Sequence, residues 1–473
     1  MPKINEQQIL RNIQEQNQWW VSGHINKDLV PDFKRNEYQR VHDIFFNELR
    51  RFPILSGPRR VGKSTIMFQT IDELLNRDDI KSTQILFYTL DDFPNDEISI
   101  KDIVRIYNKY IYSGEDFFLF VDEAQKDKTW KAYVKQLFDL NKKVRVMVSG
   151  SSSVEIETAS DESGSARFLT VRIPTFSFYE FCALNNVMVD IPDIDVFKMH
   201  TLPLEEQTNI YMKISVLNKE FYRYLKIGGF PEYAKSEQYS YVSKLIRDQV
   251  VTKAIRQDIP SSYPIRDVDS LSSLFAYFCY HSSDIISVES ISKTLGIDKA
   301  TCSQYINALE KANLIYISEQ LNLSGKKALK PKRKIYVSDY GIRCSVTRNT
   351  DIEVDDNELG YAIETISFKH TKDYFTSVDD ELYNVGYFKG DGDKEIDIVI
   401  QKQGRDIQYV EAKYRKQSHI KDTDAVVVYG LEGIPGYIVT KDADDYGLYD
   451  RGKTQLYKIP AMAYFYLLGK RKQ

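Results

Sequence analysis

Residues 55–65 read LSGPRRVGKST, in which Gly57 is followed by four residues and then by Gly62, Lys63 and Ser64. This G-x-x-x-x-G-K-[ST] spacing is typical of a loop that leaves a strand, surrounds a phosphate with backbone N–H groups and enters a helix at its positive end. Glycine permits backbone angles and close approaches that a side chain would block. The stretch therefore predicts a nucleotide-binding loop.

The residues on either side of the loop agree with this prediction. Residues 52–55 form a short apolar run, and residues 64–75 have apolar side chains at helical spacing, so strand, loop and helix follow in the required order. Lys63 would reach the β- and γ-phosphates of ATP and serve catalysis, and the Ser64 hydroxyl would hold Mg²⁺. The predicted nucleotide-binding residues of the loop are Gly57, Pro58, Arg59, Arg60, Val61, Gly62, Lys63, Ser64 and Thr65.

Two further apolar runs end in polar residues, as buried parallel strands do at the edge of a sheet where ligands bind. Residues 116–125 read DFFLFVDEAQ, so Asp122 and Glu123 follow one such run. Asp122 would hold Mg²⁺ through water, and Glu123 would be the general base that polarises the attacking water. Residues 144–153 read VRVMVSGSSS, and Ser149 or Ser151 would sense the γ-phosphate unless this is merely a serine-rich loop.

Length, charge and cysteine content limit the class of protein. The 473 residues suggest about three domains. A net charge of −4 gives no general attraction to nucleic acid, so such a site would have to be a local patch. Four scattered cysteines, without metal-binding spacing, indicate buried thiols in a reducing compartment. We expect a cytoplasmic protein without membrane contact, because there is no signal peptide and no long apolar run.

The chain resembles a prokaryotic family of AAA+-like P-loop ATPases related to the STAND class. The resemblance lies in the order of six segments, GPRRVGKST, LDD, FLFVDEAQ, VMVSGSSS, SGSARF and PTFSFYEF. The resemblance implies an ATPase that binds ATP and Mg²⁺ and assembles with further copies of itself. Arg167 falls where the family carries an arginine, a candidate arginine finger for a neighbouring subunit, although Ala166 replaces the family's preceding glycine. Arg256 is a second candidate for such a contact. Pro231, in GGFPEY, would lie in a lid against adenine, with a plain helix–helix turn as the alternative.

The same resemblance implies an α/β fold with four parts. We expect a P-loop ATPase core with a parallel sheet and N-terminal helices over residues 1–180, and a helical lid over residues 181–265. A winged helix would follow over residues 266–350. An α/β domain like restriction endonucleases, of the PD-(D/E)xK type, would occupy residues 351–473.

Residues 287–317 predict a helix-turn-helix, with helices over 288–295 and 299–312 and a strand after them. A lysine-rich segment follows, as in the wing of a winged helix that contacts phosphate. The alternative is a protein–protein module. The predicted contacts with DNA or another nucleic acid are Lys299, Ser303 and Gln304 on the second helix and Lys326, Lys327, Lys330, Lys332, Arg333 and Lys334 in the wing.

Residues 395–414 predict two alternating strands around a turn at Gly404, which sets Asp397 roughly opposite Glu411. Asp397 and Glu411 would hold Mg²⁺, Glu364 on the preceding helix would complete the ligands, and Lys413 would support an attacking water. We expect further strands over residues 425–429 and 436–440.

Two functions follow from these patterns. The first is an ATPase that positions an active nuclease on nucleic acid, in DNA processing or genome defence. The second is a nucleotide-switched assembly or regulatory protein, whose nuclease-like domain only binds a partner.

Overall fold

The computed structural model describes residues 6–92, 98–150, 167–322, 332–349, 355–379, 382–392, 394–414, 419–451 and 454–470. The chain forms two compact units, Met1–Ile173 and Pro174–Gln473. The finer division into four domains remains a prediction. Ser151, Lys326, Lys327 and Lys330 lie outside the described residues.

The first unit is built on a parallel sheet whose strand order is β2-β3-β4-β1-β5. Its strands are mostly continuous apolar runs, and such runs are stable as strands because helices cover both faces of a parallel sheet. Strand β4 lies between β1 and β3, so three strands that end in predicted site residues are neighbours. The strands are β1 Phe52–Ser56, β2 Ile85–Thr89, β3 Phe118–Asp122, β4 Arg145–Gly150 and β5 Phe168–Arg172.

The helices of this unit place one apolar face on the sheet. Helix α5, for example, begins after the capping hydroxyl of Ser99 and buries Ile103, Val104 and Tyr107 on one side. The helices are α1 Glu6–Gln16, α2 Trp19–Ser22, α3 Tyr38–Phe46, α4 Lys63–Leu75, α5 Ile100–Tyr110 and α6 Trp130–Leu140.

The N-terminal segment provides hydrogen-bond partners for the outer edge of β2, beside which the described residues place no further strand. The Asn17 amide donates to the Phe87 carbonyl at 2.7 Å and accepts from the Phe87 N–H at 2.7 Å. The indole N–H groups of Trp19 and Trp20 both donate to the Ile85 carbonyl, at 3.2 and 2.7 Å. Side chains thus replace a missing strand, because unpaired backbone groups on an edge would otherwise favour association.

Replacing Asn17 with Ala should lower the stability of the first unit by about 2 kcal/mol, because two buried backbone groups of Phe87 lose their partners. Thermal unfolding followed by circular dichroism should show a clear drop in Tm. Gln18→Ala, which changes an exposed neighbour, is the matched control. Equal Tm values for the two variants would contradict the account of the edge.

The second unit is largely helical up to residue 280. Two π-helical segments, Ile246–Thr252 and Ala254–Asp258, interrupt its helical run. The helices are α7 Phe178–Leu184, α8 Leu204–Ser215, α9 Asn218–Ile227, α10 Tyr239–Leu245, α11 Ile259–Ser262, α12 Val268–Tyr280, α13 Val288–Leu295, α14 Lys299–Lys311, α15 Tyr340–Thr347, α16 Asp356–Asp379, α17 Ala425–Val428 and α18 Ala461–Gly469.

A three-stranded antiparallel sheet accompanies helices α13 and α14. Its strands β6 Ile285–Ile286, β7 Ile315–Glu319 and β8 Arg333–Val337 have the order β6-β8-β7. Gly296 ends α13 with φ of 68°, and the Asp298 carboxylate caps α14 by accepting from the Thr301 N–H at 2.9 Å. Both helices therefore lie where the sequence predicts them.

A six-stranded mixed sheet forms the C-terminal part, with the order β13-β14-β12-β11-β10-β9. Strands β9, β10 and β11 form an antiparallel meander, and β12 is parallel to β11. Gln403 and Gly404 have φ of 49° and 77° and form the predicted tight turn between β10 and β11. The strands are β9 Tyr383–Lys389, β10 Glu395–Lys402, β11 Arg405–Lys413, β12 Gly436–Thr440, β13 Gly447–Arg451 and β14 Thr454–Pro460.

The strand predicted over residues 425–429 is wrong, because Ala425–Val428 is the short helix α17. Its valine-rich sequence favours a strand locally. In the fold, Ala425 and Val426 pack into the apolar core beneath the sheet, and this tertiary contact outweighs the local preference. The strand predicted over residues 436–440 is confirmed as β12.

All four cysteines, Cys182, Cys279, Cys302 and Cys344, are buried free thiols, as the sequence predicts. Within the described ranges, no helix combines the length and the apolar character that are needed to cross a bilayer.

Candidate functional site

The loop after β1 has the geometry that a phosphate site requires. A Cβ atom on Gly57 would lie 2.1 Å from the Ile173 carbonyl oxygen, so only glycine fits there. Gly62 has φ of 93° immediately before α4 begins at Lys63, which favours glycine for the same backbone reason. Arg35, buried beside Glu37, donates to the Val61 carbonyl at 2.6 Å and supports the loop from outside. Sequence patterns gave Arg35 no role, because its partner is a backbone atom of a distant segment.

Lys63 is buried, and its ammonium group donates to the carbonyl oxygens of Gly57 and Pro58, at 3.0 and 2.8 Å. The loop thus folds around its own lysine. Phosphate oxygens are stronger acceptors for an ammonium group than neutral carbonyls are, because the bond is assisted by charge on both sides. The position suits the predicted contact of Lys63 with the β- and γ-phosphates.

Asp122 connects the loop with the neighbouring strand end. Its carboxylate accepts from the Ser64 hydroxyl at 2.5 Å on one oxygen and from the buried Ser149 hydroxyl on the other. The strand order explains this contact, because β4 carries Ser149 between the strands that carry the loop and Asp122. A hydroxyl and a carboxylate in contact at the start of α4 are the oxygen ligands that Mg²⁺ prefers, so these residues fit that ion.

Glu123 is held in an unusual backbone conformation with φ of 55°. Non-glycine residues in this region store strain, which is characteristic of functional sites. Its carboxylate is nearly buried and accepts from the Gln125 amide at 2.5 Å. The side chain is thereby fixed beside Asp122 at the same end of β3, where the sequence predicts a general base.

Asp91, just after β2, connects the phosphate-binding loop with the segment after β3. The sequence did not indicate a role for this residue. It forms ion pairs with Arg59 of the loop, at 3.8 Å, and with Lys126 after β3. Three loops at one edge of the sheet are therefore joined by charge. The acidic residues after the apolar run of β2 could have indicated such a site in the sequence, but their partners depend on the strand order.

Arg167 lies at the start of β5, where its carbonyl accepts from the Phe52 N–H at 2.9 Å. This is the edge of the sheet opposite the loop. Its guanidinium group forms two bonds with the Asp139 carboxylate, at 2.7 and 3.2 Å. Arg256, in the second unit, is paired with Asp269 at 3.0 Å. A contact of either arginine with a neighbouring subunit remains a prediction.

Pro231 begins a short 3-10 helix in the second unit. The two glycines before it are explained by packing within that unit: a Cβ on Gly229 would lie 2.5 Å from the Phe176 carbonyl oxygen. The Gly229 N–H donates to the buried Asp339 carboxylate at 2.9 Å. The adenine contact of Pro231 remains a prediction, and the helix–helix turn accounts for the glycines.

A second group of charged residues lies in the C-terminal part of the second unit. We call Glu364, Glu395, Asp397 and Glu411 the carboxylate cluster. Asp397 is one step beyond the Ile398–Val410 pair of the hairpin, which puts it opposite Glu411 as predicted, and it accepts from the Ala412 N–H at 2.8 Å. Glu395 was missed by the sequence analysis, although it lies two residues before Asp397 on the same face of β10.

Burial, with the neighbouring Glu364 carboxylate, raises the pKa of Asp397 to about 7. Burial also raises the pKa of Glu411 well above its usual range, and Asp397 adds to that shift. Lys413 lies 3.9 Å from Glu411 and 2.8 Å from Asp424, a partner that the sequence did not indicate. Carboxyl groups are thus crowded in a space of low polarity, where each opposes the ionisation of the other.

The prediction that Lys334 is an exposed nucleic-acid contact in a wing is wrong. Instead of an exposed contact for nucleic acid, its side chain is only 5% exposed and its ammonium group lies inside the carboxylate cluster. It is 2.9 Å from Glu364 and 3.8 Å from Asp397, and it forms an ion pair with Glu395. The ammonium group thus lies against three of the four carboxylates of the cluster, and the binding of Mg²⁺ by Glu364, Asp397 and Glu411 stays a prediction. The described residues contain no group of three His, Cys, Asp or Glu side chains arranged for a metal ion.

The other predicted nucleic-acid contacts lie nearer the surface. Lys299 is exposed on the first turn of α14, 3.3 Å from Glu289, and Ser303 and Gln304 are half-buried one turn later. Lys332 is exposed, and Arg333 lies 3.9 Å from Glu319. Of the predicted wing residues that the structure describes, Lys332 and Arg333 therefore carry charge at the surface and Lys334 does not.

Comparison with known proteins gives two domain matches. Residues 50–182 match the AAA domain, and residues 218–353 match a domain of unknown function (DUF8612). An uncharacterized protein of Haemophilus influenzae is 24% identical over 396 residues, which cover 80% of this chain and 87% of that protein. The uncharacterized protein MJ1637 of Methanocaldococcus jannaschii is 22% identical over 358 residues, 70% of this chain and 71% of that protein.

Among solved structures, the Aeropyrum pernix Orc1 protein in complex with DNA is similar with a TM-score of 0.32 and 9% identity. The similarity covers 71% of this chain and 97% of that chain, and at this level it supports no inference about function. Residues 50–182, which contain the loop around Lys63 and the strands of the parallel sheet, therefore match the AAA domain.

Proposed function

We propose that the AAA domain binds ATP with Mg²⁺ and hydrolyses it, and that its nucleotide state acts on the C-terminal half of the chain. One observation carries the proposal: the Asp122 carboxylate joins the Ser64 hydroxyl of the loop to the Ser149 hydroxyl of the central strand. The three side chains meet at the start of α4, where backbone N–H groups and the helix dipole favour phosphate.

Each residue would have a separate task in hydrolysis. Lys63 would leave its carbonyl partners and neutralise the β- and γ-phosphates, and Ser64 and Asp122 would hold Mg²⁺. The ion supplies positive charge that stabilises the phosphates as the bond breaks. Glu123 would accept a proton from the attacking water, which its fixed carboxylate can orient. Ser149 would exchange its hydrogen bond to Asp122 for one to the γ-phosphate, so that Asp122 responds to the presence of that phosphate.

The direct test is ATP turnover by the full chain. We expect phosphate release with Mg²⁺ and none when the ion is removed by a chelator. A chain that binds ATP with Mg²⁺ but releases no phosphate would contradict hydrolysis, and a chain that binds no nucleotide would contradict the whole proposal.

Assembly into a homo-oligomer is part of this proposal. Arg167 would reach the γ-phosphate of a neighbouring copy after exchanging its bond with Asp139 for the phosphate. Such an arginine contributes strongly to phosphoryl transfer because it stabilises charge in the transition state. Size measurements with and without ATP test this step, and we expect the larger species with ATP.

We further propose that residues 266–350 form a winged helix that binds nucleic acid. The proposal is supported by the order of elements, in which α12, β6, α13, α14, β7 and β8 follow one another with an antiparallel sheet beside the helices. Lys299, Ser303 and Gln304 lie on α14, the helix that would enter the groove.

Replacing Lys299 with Ala should weaken binding to duplex DNA of any sequence. It should also reduce the number of counterions that are released on binding by about one, which lowers the salt dependence of the affinity. Fluorescence anisotropy over a range of salt concentrations measures both effects. Lys244→Ala, an exposed lysine on α10, is the control that should change neither. Affinity that does not respond to salt would favour the protein–protein alternative.

For the C-terminal part, we propose an α/β fold of the PD-(D/E)xK nuclease type. The order α16-β9-β10-β11-α17-β12 supports it, with an antiparallel meander followed by a parallel strand. Two functions remain for this domain, cleavage of nucleic acid and binding of a partner without cleavage. The position of Lys334 favours the second, which makes the chain a nucleotide-switched assembly or regulatory protein.

A further inference from the structure

Lys334 belongs to the central strand of the three-stranded sheet, yet its charge lies among residues of the six-stranded sheet. On β8 it pairs with Ser318 of β7 on one side and with Ile285 of β6 on the other. Its ammonium group contacts Glu364 of α16 and Glu395 of β10, and it lies 3.8 Å from Asp397 of β10. Carboxylates from two elements therefore converge on one lysine from a third.

The surroundings of Lys334 are suited to a fixed positive charge. Tyr336, two residues further along β8, donates to the same Glu364 oxygen at 3.0 Å, and the ring of Tyr387 lies 5.6 Å from the ammonium nitrogen. Aromatic faces and carboxylates both attract cations. Buried charges persist only when they are paired and hydrogen-bonded, and Lys334 meets both conditions.

The two sheets also join through their backbones at this place. The Leu321 N–H donates to the Tyr387 carbonyl at 2.7 Å, and Gln320 forms a parallel bridge with Tyr387. Gly386 permits the contact, because a Cβ there would lie 2.3 Å from the Glu319 carbonyl oxygen. The three-stranded sheet thus covers the outer edge of β9, independently of any charge.

We propose that Lys334 is the resident cation of the carboxylate cluster and occupies the place that a divalent metal would take in a PD-(D/E)xK nuclease. The inference rests on the proposed nuclease-type fold. The ammonium group lies against oxygens of Glu364 and Asp397, two of the three carboxylates that Mg²⁺ would require, so the cluster does not bind the ion. The ion pairs between Lys334 and the carboxylate cluster instead hold the three-stranded sheet against the six-stranded sheet, and the domain does not cleave nucleic acid.

Lys413 supports the same conclusion. In the cleavage hypothesis this lysine would stabilise an attacking water beside the metal. Its ammonium group is 2.8 Å from Asp424, a side chain outside the cluster, and 3.9 Å from Glu411.

The test is a measurement of Mn²⁺ binding to the full chain without nucleotide, with electron paramagnetic resonance as the method of detection. We expect the wild type and Asp397→Asn to bind Mn²⁺ equally poorly. Lys334→Ala should gain a Mn²⁺ site with affinity raised at least about tenfold, because the freed carboxylates become available. The double variant Lys334→Ala/Asp397→Asn should lose that site. Lys293→Ala, which removes an exposed lysine from the same unit, is the matched control.

A second measurement covers the case that Lys334→Ala is unstable. The Tm of Lys334→Ala should be roughly 10 °C below that of the wild type, because the substitution removes one partner of a buried ion pair. Mn²⁺ should restore part of that loss in Lys334→Ala and leave the Tm of the wild type unchanged.

The inference is overturned if the wild type binds one Mn²⁺ that Asp397→Asn removes. It is equally overturned if the wild type cleaves DNA or RNA with Mg²⁺ and Glu411→Ala abolishes the cleavage. ATP turnover by the wild type is measured in the same preparations. Its absence would count against the proposed ATPase and would leave the result on the carboxylate cluster valid.

Discussion

Replacing Glu123 with Gln should leave ATP bound and reduce its turnover by about 10²–10⁴-fold, the usual contribution of a general base. Glutamine keeps the shape of the side chain and its hydrogen bond with Gln125, but it cannot accept the proton of the attacking water. Binding depends on the loop and on Lys63, which the substitution does not touch. Phosphate release and equilibrium binding of a fluorescent ATP analogue measure the two effects separately.

Glu115→Gln is the matched control for this variant, because Glu115 is an exposed carboxylate just before β3. It should turn over ATP like the wild type. Turnover by Glu123→Gln at the rate of the control would remove Glu123 from the mechanism. Loss of binding together with turnover would instead show that the strained backbone at this residue, with φ of 55°, depends on the carboxylate.

Replacing Lys63 with Ala should abolish measurable nucleotide binding, with affinity reduced by at least about 100-fold. The loss follows because a buried charge that pairs with phosphate contributes several kcal/mol. The vacated space would also leave the carbonyl oxygens of Gly57 and Pro58 without their donor, which weakens the loop before any ligand arrives. Isothermal titration with ATP and Mg²⁺ measures the affinity.

Lys101→Ala serves as the control, because Lys101 is an exposed lysine on α5. A circular dichroism spectrum equal to that of the wild type would show that Lys63→Ala is folded. If the folded variant binds ATP with the affinity of the wild type, the loop of residues 57–65 is not the nucleotide site.

The loop of the proposed nucleotide site could be predicted from the sequence because its geometry is mostly local. The spacing of Gly57, Gly62 and Lys63 predicts a phosphate-binding loop, and Asp122 follows an apolar run that predicts a buried strand. The contact between Ser149 and Asp122 needed one further fact, the strand order, which no local pattern contains. For the same reason Arg35 and Asp91 received no role.

The hairpin that carries Asp397 and Glu411 was equally predictable, since alternation and a turn at Gly404 set its register. Lys334 was not predictable. Its segment is rich in lysine, and composition describes the whole segment, whereas burial is decided for each residue by the neighbouring sheet. A strand alternates its side chains between two faces, so Lys334 can point into a core while the adjacent Arg333 remains partly in water.

ATP hydrolysis by this chain can be decided by a single-turnover measurement, with the full chain in slight excess over radiolabelled ATP. We expect that ADP forms with Mg²⁺, that no ADP forms with a chelator, and that Glu123→Gln retains intact ATP in both conditions. ATP that is bound with Mg²⁺ by the wild type but never converted to ADP would contradict this expectation.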